Sequence, residues 1–211
     1  MKTIKFIFIL TTFVCLVGFA GCKPNADSVP ESSDATTVTS YTLSEEEQAV
    51  IDEINFARTK PKEYVTQRLS PSVLDVSRKS DSYIAALDEL VDRMNRMDPV
   101  PSLTPATGLT KCAAEWVKIS GPEGYVGHEK TISNRFKKYC SYASLAENCS
   151  YGYSTGKDIV IALLVDDGVD DRGHRNNILN PAYKNVGAAI GPHKKYGTMC
   201  CIDFAYGYQE K

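Results

Sequence analysis

Apolar positions recur along this chain with a helical period until close to its end, where they collapse into two short runs. Val50, Ile51, Ile54 and Ala57 fall on one face of a helix. Ser44-Glu45-Glu46-Glu47 precedes them as a capping box, in which Ser44 bonds the backbone of the first turn and Glu47 reaches back. That helix should end near Arg58 to Lys60, before Pro61. Tyr83, Ile84, Leu87, Leu90, Val91 and Met94 form a second apolar stripe with charges opposite, and Asp98-Pro99 stops it. Leu109, Cys112, Ala113, Trp116 and Ile119 mark a third helix, expected to end before Gly121-Pro122. Ile159 to Val165 is continuously apolar and opens with Thr155-x-x-Asp158, so it reads as a buried helix. Val186 to Ile190 and Met199 to Ala205, separated by Gly191-Pro192 to Gly197, have the signature of an antiparallel hairpin. Helices first and a sheet late predict α+β layers.

Ahead of this pattern the chain changes character twice. Lys2 and Lys5 lead an apolar run from Phe6 to Leu16, followed by Gly18, Ala20 and Gly21 before Cys22, the layout of a secretory signal over residues 1–21. The run is shorter than the ~20 residues a helix needs to cross a bilayer. Phe19-Ala20-Gly21-Cys22 resembles a bacterial lipobox, in which cleavage leaves a cysteine that carries acyl chains; the alternative is a cut after Ala20 and a soluble secreted product. The expected localisation is therefore the cell envelope, with the membrane as partner through a lipid on Cys22. Lys23 to Ser40 has almost no large apolar side chain and cannot offset its ordering entropy, so residues 22–42 read as a flexible tether to a domain over 43–211. Roughly 165 residues suffice for one domain with one sizeable core.

Charge narrows the function classes. A formal net charge of -2 over 211 residues excludes the basic stripe that a nucleic-acid binder needs. Of seven cysteines, Cys15 leaves with the signal, and the domain keeps Cys112, Cys140, Cys149, Cys200 and Cys201. This set is odd if Cys22 is acylated and even if it is not, which pulls toward the soluble alternative. Cys140 and Cys149 are close in sequence across an expected turn and are the candidate disulfide. Cys200 and Cys201 are adjacent and should point to opposite faces of a strand.

Three stretches stand out as candidate chemistry: Gly127-His128-Glu129, Ala146-Glu147-Asn148, and Gly173-His174-Arg175-Asn176-Asn177-Ile178-Leu179-Asn180-Pro181. With Ile54-Asn55-x-x-Arg58 in the first helix, they make the chain resemble the CAP superfamily, which groups cysteine-rich secretory proteins, antigen 5 and pathogenesis-related proteins with bacterial relatives. The resemblance runs from about Leu43 to Gly207. It implies a three-layer α-β-α sandwich with a central antiparallel sheet. It also implies a cleft in which two histidines face two acids, with a divalent metal such as zinc in some members.

Carried onto this sequence, the histidines are His128 and His174, both candidate metal ligands, and Glu147 is one acid. Asp166 is the candidate for the other acid and Asp167 its alternative, because Leu163 and Leu164 stand where the family has aromatic residues. Ala146 replaces the usual glycine before Glu147. Neutral imidazoles and carboxylates are reasonable zinc ligands, and a carboxylate beside an imidazole fixes its tautomer. Glu129 should point elsewhere, Arg175 and Asn177 should be structural, and His193 reads as a solvated turn residue.

Gly152-Tyr153-Ser154-Thr155-Gly156 matches a nucleophile elbow, but Asn148 to Tyr151 does not read as the apolar strand that must precede one. Asn148-Cys149-Ser150 is formally a glycosylation sequon, without meaning in a bacterial lipoprotein. The expected function is a binding or interaction module for a lipid, sterol, glycan or protein, with no enzymatic activity assigned. The alternatives are a metal-assisted hydrolase using the same cleft and a purely structural envelope protein.

Overall fold

The computed structural model describes residues 41–211. The signal, Cys22 and the tether up to Ser40 lie outside the described residues. Helix α1, Glu45–Thr59, starts on the expected capping box: the Ser44 hydroxyl accepts from the Glu47 amide, and a Glu47 carboxylate oxygen accepts from the Ser44 amide at 2.8 Å. After Lys60, the short α2 (Pro61–Tyr64) passes into a π-helical turn, Val65–Leu69. Helix α3, Asp81–Arg96, is the predicted stripe, with Ala86, Leu87, Leu90 and Met94 buried.

Helix α4 spans Thr107–Glu123 and so runs through the Gly121-Pro122 pair that was expected to end it. A proline here leaves the Lys118 carbonyl without its helical donor, but Lys118 is exposed and water can serve it. The helix ends instead at Gly124, in the left-handed region at φ 68°, whose amide reaches back to Ser120 and Gly121. Helices α5 (Ile132–Tyr139), α6 (Gly156–Val165) and α7 (Gly173–Ile178) follow. Thr155 caps α6 as its sequence suggests, accepting from the Asp158 amide.

The main sheet has four strands in the order β1 (Thr104–Pro105), β4 (Asn185–His193), β5 (Gly197–Tyr206), β3 (Ser144–Tyr151). The expected hairpin is the β4–β5 pair, β3 is antiparallel to β5, and β1 joins β4 in parallel. Short strands β2 (Cys140–Ser141) and β6 (Gln209–Glu210) form a separate antiparallel pair.

Strand alternation builds the sandwich. Cys200, Ile202 and Phe204 of β5 face a large core with α1, α3 and α6. Met199 and Cys201 face Trp116 and Val117 of α4, and Ala205 joins Leu109, Cys112 and Phe136 on the same side. This is the three-layer α+β arrangement that the resemblance implies. Helix α4 lies so close to β4 that a Cβ on Gly187 would stand 2.1 Å from the Thr110 amide nitrogen, which no side chain could relieve because the neighbour is backbone. Among the described residues no helix is long and apolar enough to cross a membrane.

The cysteines sort differently from the expected Cys140–Cys149 bridge, and all five carry free thiols. Cys140 sits at the end of α5 in one buried cluster with Cys112, its thiol donating to the Phe136 carbonyl and that of Cys112 to the Arg135 carbonyl. Cys149 lies in another cluster, opposite Cys201 across the β3–β5 ladder. Nearness in sequence misled here because the chain enters β3 between the two residues and carries Cys149 away along the strand. Cys200 and Cys201 do face opposite layers.

Gly187→Ala should cost about 1–3 kcal/mol by forcing α4 off the sheet, measured as a lowered urea midpoint with unchanged slope. Unchanged stability would show that the helix can shift without penalty.

Candidate functional site

The site grows out of edge strand β3, where the consecutive residues Glu147 and Asn148 point to opposite faces and serve different halves. Glu147 lies on the α4–α5 face. Its Oε1 is 2.8 Å from His128 Nδ1, and its Oε2 takes a charged hydrogen bond from Arg135 of α5. The Cys201 thiol also donates to Oε2, at 3.2 Å. Asn148 turns the other way, donating to the His174 carbonyl at 3.0 Å and accepting from Asn177 at 2.8 Å.

His128 is placed by the loop before it. The Trp116 indole donates to the Gly127 carbonyl at 3.2 Å, and the Gly127 amide donates to the Tyr151 hydroxyl at 3.0 Å. His174 opens α7, and its Nδ1 is 2.7 Å from Asp166 Oδ1. Asp166 ends α6 at φ 57°, a left-handed conformation that Asp tolerates better than most residues. Its other oxygen accepts from the amides of His174 (2.9 Å) and Arg175 (3.2 Å), capping the start of α7. Of the two alternatives, Asp166 is buried against His174 and Asp167 is exposed.

Both histidines are therefore held at Nδ1 by a buried carboxylate. No hydrogen bond to either Nε2 is made among the described residues. The His128 side chain is 33% exposed and that of His174 17%, while Glu147 and Asp166 are almost wholly covered.

Burial alone would raise the Glu147 carboxyl, but the His128 hydrogen bond and the Arg135 charge outweigh it and hold it at about 2. Burial likewise disfavours charge on His128, yet its hydrogen bonds to Cys149 and Glu147 carry it up to about 10. Burial and the neighbouring Glu147 charge push Asp203 well above the usual carboxylate range. Asp203 Oδ2, 3.7 Å from the Arg135 guanidinium, makes no hydrogen bond.

Arg135 is the member that sequence reading missed. It is 1% exposed, donates to the Cys112 carbonyl at 2.6 Å, and lies over the Trp116 ring with its Cζ 5.5 Å from the centroid. It also draws in Glu129, at 3.2 Å, so Glu129 belongs to the same charge group instead of pointing elsewhere. Nothing in Ile132 to Tyr139, a short stretch with several basic residues, marks Arg135 apart from Lys137 and Lys138; only its tertiary neighbours do.

His193 is also not the solvated turn residue expected. It is 3% exposed, donates through Nε2 to the Tyr125 carbonyl, accepts at Nδ1 from the Lys195 and Tyr196 amides, and packs edge-on to Tyr151. Arg175 is structural as read, donating to the Leu164, Val165 and Ala86 carbonyls. A strand does precede the Gly152 to Gly156 segment, contrary to the sequence reading. Even so, Ser154 is exposed and is not among the residues with positive φ, so no nucleophile elbow forms.

As a metal centre the donors do not form the predicted His128–His174 pair. The three-donor groups among the described residues are His128 with Glu147 and Cys149, and Glu147 with Cys201 and Asp203, and neither includes His174. Catalytic zinc normally takes three protein ligands and a water. In both groups a cation would also meet the Arg135 guanidinium already bound to Glu147. A hollow of about 330 Å³ lies elsewhere, over α4 and the end of β4, lined by residues including Val117, Pro122 and Ile190.

Glu147→Gln should lower stability by about 3 kcal/mol, because it removes the negative charge opposite buried Arg135. A carboxyl held at about 2 against an ordinary 4.5 contributes fully above pH 4.5 and loses that contribution as the pH falls toward 2. The wild-type advantage over the glutamine variant should shrink across that window in urea titrations. A pH-independent difference would detach Glu147 from the ion pair.

A profile of the CAP family, described as the cysteine-rich secretory protein family, matches residues 51–204. No match is found among curated proteins. Among solved structures, an outer surface protein from Borrelia burgdorferi is 17% identical, with a TM-score of 0.43 over 64% of this chain and 96% of that one. A cysteine-rich secretory protein from Staphylococcus aureus is 14% identical, with a TM-score of 0.39 over 68% of this chain and 48% of that one. The protein BmVAL-1 is 10% identical, with a TM-score of 0.43 over 81% of each chain. With the family profile spanning most of the sequence and the four motifs lying within or at its reach, this chain belongs to the CAP, or cysteine-rich secretory protein, family.

Proposed function

We propose that this CAP-domain protein is an exported binding module, anchored by a lipid on Cys22 and presented on a tether through residue 42, which uses His128 and His174 to recognise its ligand. The observation that carries the reading is the way the two carboxylates are used. Glu147 is committed to His128, Arg135 and Cys201, and Asp166 to His174 and the start of α7. Neither retains an oxygen to activate water, whereas each imidazole keeps an Nε2 and some exposure. Carried up to about 10, His128 stays protonated at neutral pH and suits donating a hydrogen bond to a lipid, sterol, glycan or protein better than acting as a general base.

Export and anchoring rest on residues 1–42, where a basic start, an apolar run and small residues precede Cys22. Mass spectrometry of the mature protein from its native host should find an N-terminal cysteine carrying acyl chains. A free amine at Gly21 or Cys22 without acyl mass overturns the anchor and leaves the domain reading intact.

Binding is tested with phosphatidylcholine vesicles, cholesterol and soluble glycans as probes, comparing the wild type with His128→Ala and His174→Ala. Loss of one charged or well-aligned hydrogen bond should weaken saturable binding by about tenfold in each variant. Robust hydrolytic turnover that disappears in His174→Ala, together with stoichiometric divalent metal in protein purified without added metal, would overturn it in favour of the hydrolase.

A further inference from the structure

Cys149 and Cys201 are paired residues of adjacent antiparallel strands, Cys149 on edge strand β3 and Cys201 on β5. Residues directly opposite on such a ladder carry their side chains on the same face, with Cβ atoms about 4.5–5.5 Å apart. Both side chains lie in one buried cluster with Trp116 and Met199. They also converge on a single carboxylate, Cys201 reaching Glu147 Oε2 at 3.2 Å and Cys149 reaching Oε1 at 3.8 Å. Cys149 Sγ is 4.0 Å from His128 Nδ1. Cys149 keeps 7% exposure beside the partly open His128, while Cys201 has none.

From this juxtaposition we infer that Cys149 and Cys201 form a redox pair that closes to a cross-strand disulfide by exchange with a low-molecular-weight disulfide, and that its state is felt by His128 and Glu147. Cys149, the less buried of the two, attacks the external disulfide to give a mixed disulfide and one free thiol. Cys201 then attacks the Cys149 sulfur, forming the Cys149–Cys201 bond and expelling the second thiol. The two protons leave on the expelled thiols, and the two electrons lost by the cysteines reduce the external disulfide. Closure removes the Cys201 donor from Glu147 and the Cys149 sulfhydryl from the flank of His128, so both site residues lose a neighbour at once.

The same geometry accounts for cysteine parity. Cys112 faces Cys140, Cys149 faces Cys201, and Cys200 stands apart on the opposite layer, so an odd domain set is compatible with an acylated Cys22.

The test equilibrates the purified full domain in glutathione buffers of increasing oxidation, traps free thiols by alkylation and maps peptides by mass spectrometry. The expected result is a peptide pair joined through Cys149 and Cys201, with Cys201→Ser instead accumulating one glutathione on Cys149. Alkylation of both residues under fully oxidising buffer, or a Cys140–Cys149 link, would overturn the pair, and the wild-type map decides this even if the serine variant fails to fold. Imidazole NMR resonances, assigned with His128→Ala, should shift for His128 between the reduced and oxidised protein while those of His193 stay put. An unmoved His128 in fully oxidised protein would overturn the coupling. Neither result depends on the identity of the ligand.

Discussion

The burial of one guanidinium beside one carboxylate organises this protein. Arg135 and Glu147 are both about 1% exposed, and neither could be left alone there, since an unpaired buried charge costs several kcal/mol. The pair therefore fixes α5 to β3, and with them everything each element carries. Glu147 holds His128, Arg135 holds Glu129 and the Cys112 carbonyl, and Trp116 covers the guanidinium while anchoring the Gly127 loop. The site is thus an extension of the core.

Two further arginines are buried elsewhere, bonded mainly to backbone carbonyls. Arg58 donates to the carbonyls of Pro101, Ile178, Asn180 and Tyr183, tying α1 to the segment between α7 and β4. Arg175 satisfies the carbonyls at the end of α6 and one in α3. Irregular backbone is expensive to bury without partners, and these side chains supply the missing donors. Asn55 does the same for Leu103, accepting from its amide and donating to its carbonyl. The motif Ile54-Asn55-x-x-Arg58 is therefore a scaffold for the loops around α7, which explains how a first-helix pattern can accompany a site built from residues far along the chain.

The asymmetry between the two histidines follows from their supports. His174 is held by a carboxylate whose remaining bonds go to backbone amides, a purely local cap between α6 and α7. His128 is held by a carboxylate shared with a cation and thiols from other elements. Only the second unit is positioned to sense charge and sulfur chemistry, while the first is insulated by its own turn.

Local signals determined much of this protein from sequence alone. The Ser44 capping box, the stripe of α3, the Thr155 start of α6 and the β4–β5 hairpin are each written within a few residues, where propensity, capping and periodicity all agree. Resemblance singled out His128, Glu147, Asp166 and His174, which the structure joins as the pairs His128–Glu147 and His174–Asp166. What only the tertiary structure decided has a common cause, in that the deciding partner is distant in sequence. Asn148 to Tyr151 does not read as an apolar strand, yet it lies on β3 because β5 supplies its ladder. Arg135 looks like any surface base until Glu147 and Asp203 surround it, and His193 looks solvated until Tyr125 and Tyr151 enclose it. The partner of Cys149 is Cys201 because strand register, not chain proximity, sets which side chains meet.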